Sequence, residues 1–151
     1  MLVQEMLFGG NIAEMLTRLD IGLAHKHDAS AIIDAIVAEH DETYSLTYLD
    51  CPAGRFAVTR TPLLVGDRVR LRIAARDVSL TLSKHSDSSI LNSFAACVEE
   101  LSDEGSGQVT VRLLATGIPL LARITRKSSQ ELGLKEGKVV YAQVKSVALL
   151  D

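Results

Sequence analysis

The residues of this sequence with chemistry to offer are serines placed near cations. Ser88-Ser89 with Asn92 precede a strand-like run, Ser128 and Ser129 open a short helical stretch, and Lys145-Ser146 follow the last long alternating run. Hydroxyls, backbone N–H groups and one or two cations hold a tetrahedral oxyanion without catalysis, especially where a helix begins. Each of these residues is ordinary taken singly, since serines cap helices and a lysine usually faces water. On spacing alone, an oxyanion site is the minority reading.

Other chemistries fail on the residues they require. Gly133-Leu134-Lys135-Glu136-Gly137-Lys138-Val139 imitates a phosphate loop. It has one residue too few between its glycines, carries Val139 where a magnesium-binding hydroxyl belongs, and precedes a strand where that motif needs a helix. A turn between a short helix and a strand is the better reading, and no Gly-x-Gly-x-x-Gly occurs. Gly105-Ser106-Gly107 is turn chemistry with no nucleophile elbow. His25, His27, His40 and His85 sit beside acids without the helical spacing or cysteine partners of a metal site. Glu99-Glu100 and Asp103-Glu104 alternate or enter a turn, so two acids do not share a cleft. The sequence does not read as an enzyme.

These groups need a scaffold, and composition bounds it. The chain has 151 residues, 47% hydrophobic and 23% charged, with 3 prolines and 10 glycines. That is one ordinary domain or two small ones, able to bury a core. Sixteen basic against nineteen acidic side chains leave a net charge of −3, no global reason to bind nucleic acid or an anionic membrane. Aromatics at 4% with no tryptophan also argue against stacking single-stranded bases. Cys51 and Cys97 stand far apart, which excludes a zinc ribbon and reads as two small apolar side chains. The opening Met1–Gly10 carries Glu5, lacks a basic start and is too short to cross a bilayer. A soluble, intracellular chain is expected.

Along the chain, Ile12, Met15, Leu16 and Leu19 recur at helical spacing within Asn11–Leu23, ahead of a boundary near residue 28. An all-β pattern follows. Its first series is Ile32–Glu39, Tyr44–Leu49, Arg55–Val58, Arg68–Ala75 and Val78–Leu82; its second is Ala95–Leu101, Gln108–Leu114, Leu120–Thr125 and Lys138–Val147. Ser128 with Glu131 has the spacing of a capping box and predicts a helix around 128–132. In Arg68–Ile73 the arginines 68, 70 and 72 alternate with Val69, Leu71 and Ile73, so one face enters a core and the arginines stand on the other. The two series look like copies. Gly66–Ile73 parallels Gly137–Val144, and Ala35–Glu39 parallels Ala96–Glu100, which implies duplicated units of about 60 residues. The expected organisation is a helical segment over 1–28, then two tandem small barrels over 29–84 and 85–151. Units this small must pack on each other or on a partner chain.

Asp87–Asn92, Leu120–Ser128, Glu131–Leu134, Gly137 and Tyr141–Val147 together resemble the Mop, or molbindin, domain. More closely, the chain resembles the C-terminal region of the ATP-binding subunit of bacterial molybdate ABC importers. Arg72–Leu80 is similar to the strand joining the two halves of that region, often called a transport-associated OB domain, and Asn11–Asp20 looks like the last helix of the preceding ATPase domain. The resemblance implies a cytoplasmic region at the inner face of the membrane that dimerises through its barrels, beside its own ATPase domain and the membrane subunits. It also implies molybdate or tungstate as a ligand, with no covalent cofactor, metal or nucleic acid.

The positions that match the family's oxyanion contacts are Ser89, Ser128, Lys145 and Ser146, with Asn92 and Arg123 beside them. Molbindins commonly carry an arginine before the asparagine of their first motif. Here that place is Leu91, and Arg123 or Arg76 is the available substitute. The nucleotide loop and signature motif of the ATPase are missing, so ATP hydrolysis does not reside in these residues. The helix at Asn11–Asp20, with little of its own to pack on, favours a piece of a longer subunit. A stand-alone molbindin that stores molybdate and a ligand-free dimerisation module are the alternatives.

Overall fold

The computed structural model describes residues 29–150; the helix expected within 1–28 lies outside them. The strands are β1 (Ser30–Asp41), β2 (Leu46–Cys51), β3 (Gly54–Thr59), β4 (Arg68–Ala74), β5 (Val78–Thr81), β6 (Asn92–Asp103), β7 (Gln108–Ala115), β8 (Ile118–Thr125), β9 (Val139–Val144) and β10 (Ala148–Leu150). A 3-10 turn, Ala75–Asp77, joins β4 to β5, and one helix, α1 (Arg126–Glu131), follows β8. The architecture is mostly β, two five-stranded antiparallel sheets ordered β10-β4-β1-β2-β3 and β5-β9-β6-β7-β8. It is consistent with an OB-like fold.

Alternation builds the core. Ala31, Ile33, Ala35 and Val37 of β1 turn inward with Val69, Leu71 and Ile73 of β4, while Arg68, Arg70 and Arg72 stay exposed. A strand puts successive side chains on opposite faces, so the run of arginines follows from the period alone. In β7 and β8 burial is nearly continuous, from Val109 to Leu113 and from Pro119 to Ala122, because both faces are covered. Leu121 packs on Ala29 and Ala75 of the other half.

The duplication is geometric as well as sequential. The register of β1 against β2 slips between Val37 and Glu39, and that of β6 against β7 slips between Val98 and Glu100. Gly66 N–H donates to Val37 O, and Val37 N–H to Asp67 O, at 2.8 and 2.9 Å. In the second half Gly137 N–H donates to Val98 O, and Val98 N–H to Lys138 O, both at 2.8 Å. Gly66 and Gly137 have φ of 95° and 91°, a backbone region that costs glycine little and other residues more.

Each half sends its last strand into the other sheet. β5 pairs with β9, and β10 pairs with β4. The run expected over Lys138–Val147 therefore stops as a strand at Val144, and β10 begins beyond it at Ala148. Lys145 to Val147 make the crossing, and Lys145 N–H donates to Asp77 O at 2.8 Å.

The two sheets meet through Phe56 of β3 and Phe94 of β6, ring centroids 4.5 Å apart at 43°. Beside them the Asn92 side chain binds both polar groups of one edge residue. Its Oδ1 accepts from Ala57 N–H at 2.7 Å and its Nδ2 donates to Ala57 O at 3.1 Å. The carboxamide thus stands in for one residue of a neighbouring strand on an edge that would otherwise be open.

The helix start is corrected. Thr125, not Ser128, caps α1: its backbone is extended (φ −77°, ψ 155°) and its Oγ1 accepts from Ser128 N–H at 3.0 Å. The end of β8 already holds the extended geometry that a capping residue needs. Glu131 consequently ends the helix, and the capping box expected of Ser128 and Glu131 does not form. Past that end, Lys138 Nζ donates to Leu132 O at 2.6 Å and Gly133 O at 3.3 Å. The lysine of the imitation phosphate loop holds carbonyls at a helix end.

Candidate oxyanion-binding grooves

Two grooves adjoin the crossing between the sheets. One, of about 310 Å³, is lined by Arg72, Ala74, Arg76, Asp77, Ser146, Val147 and Ala148. The other, of about 420 Å³, is lined by Arg76, Ser79, Arg123, Thr125 and Ser128 with Glu131 and apolar neighbours. Arg76 borders both, because the 3-10 turn that carries it sits where β4 leaves one sheet and β5 enters the other. Hydroxyls and guanidiniums on one concave surface are donors that suit a tetrahedral anion.

The residues singled out in the sequence fare differently. Ser128 and Arg123 share the larger groove, and Ser146 enters the smaller. Lys145 is exposed next to Ser146 at the crossing, outside either lining; Ser89 is exposed on the connection between β5 and β6 and also lines neither. Asn92 is buried, its amide engaged by Ala57. Leu91 is 66% exposed. Arg123 Nε donates to Glu104 Oε2 at 3.2 Å, and both side chains are largely buried. Arg72 lines the smaller groove too, although strand alternation alone puts it only on the face away from the core. Its Nε donates to Ser30 Oγ at 3.2 Å, and only the position of β10 brings Ser146 to it.

Two further features are structural. Arg112, fully buried on β7, is paired with Glu99. Cys51 is half buried, and burial pushes its thiol above the ordinary range, away from thiolate reactivity. Among the described residues there is no group of three or more His, Cys, Asp or Glu that could hold a metal ion, and no helix long and apolar enough to cross a membrane.

Below the second groove, Arg126 clamps Asp103 through two hydrogen bonds of 3.0 Å. The Arg126 guanidinium, with help from Gly105 N–H, holds the Asp103 carboxyl below its ordinary value and is itself raised. Asp50 is lowered in the same way by Arg55. A carboxylate depressed in the folded state adds stability above its unfolded pKa, about 3.9 for aspartate, and loses it as pH falls through the folded value. Melting temperature is therefore expected to hold steady above about pH 5 and to drop below about pH 4. In Asp103→Asn that acid slope should be shallower, and an unchanged slope in thermal melts across pH would contradict the clamp.

With this geometry in place, comparison with known proteins is informative. Residues 88–150 match the TOBE domain. The match begins in the connection before β6 and ends with β10, so it takes in the whole of the second half. The chain is 49% identical over 144 residues to the molybdenum import ATP-binding protein ModC of Aromatoleum aromaticum, covering 95% of this chain and 38% of that protein. To ModC 1 of Azotobacter vinelandii it is 46% identical over 142 residues, covering 93% of this chain and 39% of that protein. The chain thus spans under two fifths of the length of these relatives. Among solved structures, the cytoplasmic molybdate-binding protein ModG, crystallised with molybdate bound, aligns with a TM-score of 0.65 at 23% identity, over 78% of this chain and 93% of that one. That likeness concerns the fold. The sequence resemblance to the ATP-binding subunits of molybdate importers, and to their TOBE domain, holds.

Proposed function

We propose that this chain is the non-catalytic, oxyanion-binding and dimerising region of the ATP-binding subunit of a molybdate importer. The observation that carries it is the identity of 49% with a molybdenum import subunit, continuous over 95% of the chain. The two grooves, with Arg76 between them, supply the kind of donors such a ligand requires. On this reading the units 29–84 and 85–151 are two OB-like barrels that exchange their last strands. Ser146, Ser128, Arg123 and Arg76 face the anion, Lys145 balances its charge from the crossing, and Ser89 joins from a loop or a second copy. Molybdate and tungstate are the ligands. Binding reports cytoplasmic supply to the ATPase domain and membrane subunits of the same transporter, at the inner face of the membrane, while hydrolysis belongs to residues outside this chain.

A second reading is favoured by Leu91 standing where relatives offer a cation and by Asn92 being engaged structurally. On it, the region only joins two subunits and binds no anion. Isothermal titration with molybdate and tungstate, with sulfate as control and light scattering in the same buffer, separates the two. Saturable binding by a dimer that prefers molybdate over sulfate is expected. Lys145→Ala should weaken it about tenfold or more, the worth of a lost charge-assisted contact. Unchanged heats in that variant would remove Lys145 from the site, and a folded dimer without heats would leave the joining role alone.

A further inference from the structure

A third concavity lies away from both oxyanion grooves, on the outer face of the first sheet. It measures about 700 Å³ and is bordered by Asp34, Ile36, Asp50, Pro52, Arg68 and Arg70. In register, Ile36 lies beside Arg68, and Asp34 beside Arg70. Neither Arg68 nor Arg70 has a side-chain hydrogen bond or ion pair among the described residues, and both are exposed. Asp50 is occupied by Arg55, at 2.7 and 3.2 Å, whereas Asp34 has no side-chain hydrogen bond or ion pair among the described residues.

The duplication shows that the fold does not require these charges. Superposing Gly66 on Gly137 and Val37 on Val98 sets Arg68 against Val139, Arg70 against Tyr141, Asp34 against Ala95 and Ile36 against Cys97. The second half builds the same two paired strands without one charged side chain at these four places. Strand pairing and core packing therefore do not explain why the first half carries two arginines and an aspartate here.

We propose that this groove binds a nucleoside diphosphate. Two arginines two residues apart on one strand face have Cα atoms roughly 7 Å apart, which lets their guanidiniums converge on two linked phosphoryl groups. Ile36, 48% exposed, and Pro52 offer an apolar surface for a base. Asp34 accepts hydrogen bonds from ribose hydroxyls or an exocyclic amine, and it disfavours a ligand that is anionic throughout. A volume of about 700 Å³ lies within the usual range of small-molecule sites and far exceeds what a lone tetrahedral anion fills. The nucleotide loop of an ATPase plays no part, since this chain has none.

The test is calorimetric titration of the 151-residue chain with ADP, with adenosine and inorganic phosphate as separate arms. Saturable ADP binding is expected, with each fragment weaker by about tenfold or more. The variant Arg68→Val with Arg70→Tyr installs the side chains the second half already carries, and should melt in the same cooperative transition while losing ADP affinity by at least about tenfold. Arg70→Gln alone, on the exposed face, repeats the measurement if the double variant melts early. No heat with ADP, ADP binding that survives both variants, or phosphate binding as tight as ADP would each overturn the assignment. Molybdate heats measured on the same samples report on the other grooves independently.

Discussion

Phe56→Ala is expected to remove about 3–5 kcal/mol of folding stability, the range for emptying a buried phenylalanine site. Phe56 is fully buried within a short edge strand, and the ring it meets, Phe94, belongs to the other sheet. The vacated volume cannot be refilled from one side, because β2 and β6 hold their backbones apart by their own ladders. Small domains are stable by only about 5–15 kcal/mol, so the variant should unfold at much lower urea. A double-mutant cycle with Phe94→Ala is expected to show coupling of about 0.5–1.5 kcal/mol beyond lost area. A loss below about 1 kcal/mol for Phe56→Ala would mean that the sheets do not meet through this pair.

Asn92→Ala carries the second large effect. It strips a half-buried N–H and a half-buried carbonyl of Ala57 of their partner, at up to about 1–3 kcal/mol for each polar group left unpaired. It also uncovers an edge strand, which is a template for association. The expected result is lower stability in denaturant titration together with concentration-dependent association in light scattering. Per folded molecule, molybdate heats should match the wild type. Stability equal to wild type would place the amide elsewhere, and loss of heats in a folded Asn92→Ala protein would return it to the anion site.

Much of this molecule is legible in the chain because its causes are local. The alternation of Arg68–Ile73 sets which face is buried wherever the strand is put, and the glycines at 66 and 137 mark turns by their own backbone freedom. The likeness of the two halves is a property of the string, and the paired bulges at Val37 and Val98 follow from it. The duplicated β plan is therefore legible in the sequence. The helix cap was misread by three residues because a capping box is a pattern of side chains, whereas the cap is decided by where the preceding strand stops.

Contacts between the halves were not legible, for a different physical reason. Whether a strand's last residues pair with their own sheet or the neighbour's depends on which edge is free after folding, and no periodicity encodes that. The crossing of β5 and β10 brings Ser146 beside Arg72 and Arg76, and the approach of β6 to β3 sets the Asn92 amide as a clamp on Ala57. Likewise, alternation alone makes Arg68 and Arg70 a solvated face, and only the sheet's curvature makes them the wall of a groove. The sequence by itself determined most of the strands, their buried faces and the resemblance to molybdate-importer subunits. The tertiary structure decided which side chains meet, because those meetings join residues far apart in the chain through edges and curvature that exist only once both sheets have formed.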